Sequence, residues 1–194
     1  MKKIIVAITG ASGVIYAKRL LEILSQRDFE IHLTISEAGA VIIQNELDIE
    51  INLTNFQPES LIGVSTNNIT YHHFSDIIAP ISSGSYKTEG MAIVPCSMNT
   101  LGAITAGISN NLIQRAADVC IKERRNLVLV PRETPLSSIH LENMLKLSKL
   151  GVCILPAMPG FYHKPHTINE QVDFIVCKIL DQFGIENDLI RRWE

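Results

Sequence analysis

Apolar runs of strand length alternate with amphipathic stretches of helical length along the whole chain. Residues 4–8 form the first run. Residues 15–26 follow, with Leu20, Leu21, Ile23 and Leu24 making an apolar stripe of helical period. Residues 31–35 predict a second strand and 38–47 a second helix. Residues 48–74 carry scattered Asn, Thr and Pro and give no single reading, while 77–81 and 91–94 are further short apolar runs. Helices are predicted over 100–106, 112–122, 138–150 and 169–183, the last stopped by Gly184, and strands over 127–130 and 152–155. Near-continuous Val, Ile and Leu strands imply a sheet covered on both faces. With helices between them, the expected fold is a doubly wound parallel α/β sheet of the flavodoxin or Rossmann kind.

Composition narrows the class. The chain has 194 residues and 46% hydrophobic content, with no internal repeat or linker, so residues 1–194 are expected to form one domain. A net charge of −3, both signs scattered, lacks the basic stripe of a nucleic-acid surface. Cys96, Cys120, Cys153 and Cys177 are far apart and read as reduced core thiols rather than a disulfide frame or zinc site. The apolar stretch behind Lys2 and Lys3 falls short of the roughly 7–15 residues of a signal sequence. No window approaches the ~20 apolar residues of a membrane span. The expectation is a cytoplasmic protein away from membranes.

Two small polar loops carry the candidate chemistry. Gly10-Ala11-Ser12-Gly13 joins the first strand to the first helix, where bare backbone amides and a helix N-terminus suit a phosphate. The same turn also serves chains that bind nothing there. A dinucleotide site would place Asp or Glu at the end of the second strand; here Ser36 stands at that end and the third glycine of GxGxxG is missing, so a mononucleotide fits better. The second stretch, SGSYKTEGMAIVPCSMNT at 83–100, puts hydroxyl-rich loops before and after an apolar run. Both loops are expected to wrap a flat phosphorylated ligand, residues 82–85 lying by the phosphate of a substrate or by the edge of the ring. Pro95 suits a strand end whose amide does not pair.

The block AADVCIKERRNLVLVPRETPLSSIHLENMLKLSKLG, together with GASG and SGS…GM…PCSMNT, resembles the UbiX-like flavin prenyltransferases, formerly named 3-octaprenyl-4-hydroxybenzoate carboxy-lyases or phenylacrylic acid decarboxylases. The similarity runs almost from end to end. It implies FMN bound in a crevice between subunits of a large homo-oligomer, typically a dodecamer. The implied reaction moves the dimethylallyl group of dimethylallyl phosphate to N5 and C6 of reduced FMN, without a metal. The product, prenylated FMN, serves UbiD-type decarboxylases. Gly10, Ala11, Ser12, Ser36, Ser97, Met98, Asn99, Thr100 and Arg132 match FMN contacts, and Tyr162 and Lys178 match donor contacts. Arg is frequent in the family where Lys178 stands here; the cation is kept and the bidentate fork is lost.

Breaking an allylic C–O bond requires stabilising phosphate, placing the allyl group and excluding water. Lys122, Arg132, Lys178 and the Tyr162 hydroxyl offer cations and a donor, and the chain has no DDxxD magnesium motif. Glu133 is the leading acid/base candidate; Glu46, which the family pattern puts near the site, and the Ser12 hydroxyl complete the catalytic set. Tyr162 and Trp193 have π faces for an allyl cation, Trp193 equally being an anchor in the core or an interface. Lys122 to Arg125 otherwise reads as a solvated charge run, His140 as a structural histidine, and His72 and His73 as neighbours pointing apart. Two other functions share the loops. A decarboxylase of the phosphopantothenoylcysteine type would need an early catalytic His, for which only His32, His72 and His73 are available. A non-catalytic FMN carrier would leave the extra cations without a role.

Overall fold

The computed structural model describes residues 1–192; Trp193 lies outside the described residues. In chain order the elements are β1 (Lys2–Ile8), α1 (Val14–Ser25), β2 (Phe29–Ile35), α2 (Glu37–Leu47), α3 (Pro58–Ile62), β3 (Ile69–Tyr71), β4 (Gly90–Cys96), α4 (Met98–Thr105), α5 (Leu112–Lys122), β5 (Asn126–Pro131), α6 (Ser138–Lys149), β6 (Cys153–Ile154) and α7 (Ile168–Gln182). Short 3-10 turns occupy Leu53–Asn55 and Pro80–Ser82. The six strands form one parallel sheet in the order β3-β2-β1-β4-β5-β6.

Strand side chains alternate between faces, and both faces are roofed by helices, so the runs had to be apolar throughout. Ile4, Val6 and Ile8 of β1 join one core with α1 and α7, while Ile5 and Ala7 join the other with α4 and α5. β5 divides likewise, Val128 and Val130 against Leu127 and Leu129. In β4 the alternation slips: Ile93 and Cys96 share one face, and the register to β5 shifts between them, around Pro95.

Two stretches without a single reading in the sequence take definite form. Residues 48–74 hold α3 and the edge strand β3, only three residues long and half-buried or exposed. The 77–81 run is no strand; Ile77 and Ile78 lie 60% and 89% exposed in a turn leading to the Pro80–Ser82 3-10 turn. His140 is structural, but as part of a cap: its Nδ1 accepts the Ser137 amide at 3.3 Å. Among the described residues no helix is long and apolar enough to cross a membrane.

Candidate functional site

The strand order reverses between β1 and β4, and a doubly wound sheet opens a crevice at the carboxyl ends of such a pair. The Gly10 and Ser97 loops leave β1 and β4 at that place. Thr9, 1% exposed, ties them together: its hydroxyl donates to the Pro95 carbonyl at 2.8 Å and accepts the Ser97 amide at 2.8 Å. Ala11 turns back onto the Thr9 carbonyl at 2.8 Å. A side chain on Gly10 would collide with Ala38 at the start of α2, so only glycine lets the loop lie this close.

Three helices point their N-termini at this edge. Ser36 caps α2 by accepting the Gly39 amide at 3.0 Å, and Ser97 caps α4 by accepting the Thr100 amide at 3.2 Å while donating to the Thr100 hydroxyl at 3.0 Å. α1 has no capping side chain of its own, because its N-cap is Gly13 at φ 104°. Glu46 of α2 fills that role: its carboxylate accepts the Gly13 amide at 2.9 Å and the Val14 amide at 3.2 Å. The positive end of α1 is therefore already neutralised, and an incoming phosphate is left the first-turn amides of α2, at Glu37 and Ala38, those of α4, at Met98 and Asn99, and Arg132.

Arg132 and Glu133 follow the end of β5. The Arg132 Nε donates to the Ser12 carbonyl at 3.4 Å, and its other donors have no protein partner among the described residues. Arg132 also lies beside Tyr16, whose hydroxyl burial pushes above its ordinary value while the Arg132 charge pulls it down. Glu133 is exposed, with one carboxylate oxygen accepting the Thr134 amide at 3.0 Å. Beneath the Ser97 loop, burial pushes the Cys96 thiol up to about 12, which leaves it inert packing.

This one chain thus gathers Gly10, Ala11, Ser12, Ser36, Glu46, Ser97, Met98, Asn99, Thr100, Arg132 and Glu133 along one edge, and places the remaining candidates elsewhere. Lys122 ends α5, four residues before β5 begins, and so lies at the opposite edge of the sheet; it bonds Glu123 at 2.7 Å. The 82–85 loop is there too, before β4, whereas Ser97 follows it. The seven residues of β4 separate the two loops by roughly 20 Å, so one ligand cannot touch both in one chain. Tyr162 and Lys178 meet around Phe174 of α7, the Tyr162 ring 5.7 Å and the Lys178 Nζ 5.7 Å from its centroid. The last carbonyl of α7, at Gln182, accepts the Asn126 side chain at 3.1 Å, which sets Lys178 about one turn from the edge where β5 starts.

Sequence reasoning passed over Thr9, although it directly precedes the glycine loop, and over Arg115, and it read Arg125 only as part of a solvated charge run. Arg115 donates to the Ser82 carbonyl at 3.2 Å, and Arg125 to the Tyr86 carbonyl at 2.7 Å. Among the described residues no three His, Cys, Asp or Glu side chains gather to hold a metal ion.

Residues 1–180 match the family described as Flavoprotein. The flavin prenyltransferase UbiX of Halalkalibacterium halodurans is 51% identical over 188 residues, covering 97% of this chain and 91% of that protein. The chain is a member of the UbiX-like flavin prenyltransferase family. Among solved structures, a dodecameric FMN-dependent UbiX-like decarboxylase from Escherichia coli O157:H7 is 44% identical with a TM-score of 0.88, covering 99% of both chains. AnUbiX (PadA1), solved in complex with FMN and dimethylallyl pyrophosphate, is 40% identical with a TM-score of 0.88, covering 100% of this chain and 97% of that one.

Proposed function

We propose that the protein joins the dimethylallyl group of dimethylallyl phosphate to N5 and C6 of reduced FMN and releases phosphate. The observation that carries this reading is the Thr9 clasp. It joins the Gly10 and Ser97 loops into one edge at the switch point, with Arg132 beside it as a cation that has no ion-pair partner among the described residues. The fit to FMN follows from the glycine backbone at Gly10, the first-turn amides of Met98 and Asn99, and that guanidinium. When bound, reduced FMN supplies the nucleophilic ring.

The chain's own residues supply the rest. Arg132, with the Ser12 and Ser97 loops, orients the ring and its phosphate. Glu133, exposed and next to Arg132, carries a proton to the leaving phosphate oxygen and removes the one lost at ring closure. Lys122, Lys178 and Tyr162 hold the donor phosphate, and water is kept out by closure of the crevice. Since Lys122 and the 82–85 loop lie on the far edge, they reach the crevice of a neighbouring copy rather than their own. Exposed apolar side chains give such contacts a basis: Ile139, Leu141 and Leu145 on α6 are 66%, 52% and 56% exposed, and Met158 and Phe161 are 68% and 69% exposed. The Escherichia coli relative is described as dodecameric, and a closed homo-oligomer of that size fits this chain. A cytoplasmic UbiD-type decarboxylase would take up the product.

The decarboxylase alternative finds no support in the histidines: His32 and His72 bond each other at 2.9 Å, within a network around Tyr86. The deciding experiment incubates the purified protein with anaerobically reduced FMN and dimethylallyl phosphate. Mass spectrometry is expected to find a flavin heavier by one C5 unit, together with free phosphate. A flavin of unchanged mass rejects the proposal.

A further inference from the structure

The segment between the Pro80–Ser82 turn and β4 is held from beneath with its carbonyls turned inward. Three alternate carbonyls point at guanidinium groups: Ser82 at Arg115 Nε, 3.2 Å; Gly84 at one Arg125 nitrogen, 2.5 Å; Tyr86 at the other, 2.7 Å. The residues between them face out. Ser83 and Ser85 are exposed, their hydroxyls 2.9 Å apart. A carbonyl oxygen facing an anion repels it, whereas hydroxyls attract it, so this alternation builds a surface suited to phosphate. Gly84 leaves room for side chains across the loop: a Cβ there would displace the Glu123 carboxylate and come within 2.8 Å of Lys122 Nζ, both ends of flexible side chains.

Tyr86 closes the segment with a second anchor. Its hydroxyl accepts from Lys3 Nζ at 2.7 Å and donates to Glu30 at 2.9 Å. Having one proton, already given to Glu30, it meets His32 Nε2 at 3.0 Å as an acceptor. That assigns His32 as the Nε2–H tautomer, with its Nδ1 accepting from His72 Nε2 at 2.9 Å. Lys3, Glu30 and His32 come from β1 and β2, so the loop is braced against the centre of the sheet.

We propose that Arg125 and Tyr86 are positioning residues for the donor phosphate: they fix the 82–85 loop so that its hydroxyls and Lys122 meet the donor bound at a neighbouring copy. The inference rests on the proposed prenyl transfer. Arg125 binds the loop carbonyls and the Tyr86 hydroxyl binds Lys3, Glu30 and His32, so both residues act through the loop.

The test measures steady-state prenylation, FMN affinity by flavin absorbance, oligomeric state by light scattering, and melting temperature. It compares wild type, Arg125→Lys, Tyr86→Phe and a control, Arg19→Lys. Lysine keeps the charge but lacks the rigid fork whose two nitrogens serve the two carbonyls; phenylalanine keeps the ring and removes the hydroxyl hub. Arg19 forms a comparable fork, to Asp173 at 2.6 and 3.2 Å, between α1 and α7. The expected result is a KM for dimethylallyl phosphate raised about tenfold or more in Arg125→Lys, and several-fold in Tyr86→Phe. FMN affinity, assembly and kcat at saturating donor are expected within about twofold of wild type. Arg19→Lys is expected to lower the melting temperature and leave the donor KM alone. If Arg125→Lys does not fold, Tyr86→Phe decides. An active wild type with an unchanged donor KM in the variants, or with kcat and FMN affinity falling instead, overturns this inference and leaves the function standing. A wild type that makes no prenylated flavin overturns both.

Discussion

The Glu46 carboxylate accepts the Gly13 amide at 2.9 Å, so a residue from α2 caps the helix that follows the glycine loop. Capping interactions of this kind are worth about 1 kcal/mol. Glu46→Ala is expected to lower the melting temperature by a few degrees and weaken FMN binding severalfold, because the loop loses its anchor. Glu46→Gln retains one acceptor oxygen and is expected to fall between. Calorimetry and flavin titration check this. A Glu46→Gln protein with normal stability and FMN affinity but no prenylation would instead make Glu46 a proton carrier.

Glu133 differs in kind, since its carboxylate is exposed and, among the described residues, bonds only the adjacent Thr134 amide. Glu133→Gln is expected to bind FMN like wild type and to lose about 10²–10⁴-fold in kcat, the usual range for a general acid or base. Single-turnover mass spectrometry with reduced FMN measures it. Turnover at the wild-type rate would remove Glu133 from the reaction.

Thr9 is buried and its hydroxyl makes two bonds, so Thr9→Val strands the Ser97 amide at nearly constant volume, while the Pro95 carbonyl keeps the Thr9 amide at 3.2 Å. The cost expected is about 1–3 kcal/mol per unsatisfied buried group, read as a lower urea midpoint. FMN affinity is expected to drop with it, since the two loops separate. Thr9→Ser keeps the hydroxyl and should recover most of both.

Acid should unfold the protein through His32. Burial first, then the neighbouring His72, hold the His32 imidazole down at about 4, against an ordinary value of 6.5. Burial lowers His72 as well, against the charge of Asp76. Lys3, Glu30 and Tyr86 are the other polar groups against the His32 ring. A folded value below the unfolded one means the unfolded chain binds the proton more readily. The contribution is therefore complete above pH 6.5 and declines as pH falls toward 4, by up to about 3 kcal/mol. Denaturation midpoints between pH 7 and 4 measure it. His32→Gln is expected to flatten that slope; an unchanged slope would place the titration elsewhere.

The parts of the fold legible in the sequence were those where one rule acted alone. β1 and β5 are roofed on both faces over residues 4–8 and 127–130, so those positions had to be apolar, and the runs stood out. β3 escaped because three half-buried residues at a sheet edge need no such run. The exposed Ile77 and Ile78 misled for the opposite reason, being apolar without joining either core of the chain. At the site, glycines and N-cap serines gave away the flavin edge, since backbone approach and capping demand particular residues. That Lys122 and the 82–85 loop lie at the wrong end of β4 was hidden, because spacing along a strand does not say which copy of the chain a loop will serve.

That separation yields the sharpest prediction, by mixing inactive variants. Arg132→Ala removes the crevice cation and Lys122→Ala the cation proposed to hold the donor, and these two residues lie at opposite edges of one sheet. If each site draws Arg132 from one subunit and Lys122 from a neighbour, either variant alone is inactive. Co-assembly from denatured, equally mixed subunits then creates sites with both residues intact. With random mixing about a quarter of the sites combine an intact crevice from one chain with an intact donor face from the next, so about a quarter of wild-type activity is expected to return. Simple mixing without subunit exchange should restore nothing. Activity that stays at zero after verified co-assembly would mean that both cations serve the same chain, and the shared site would have to be abandoned.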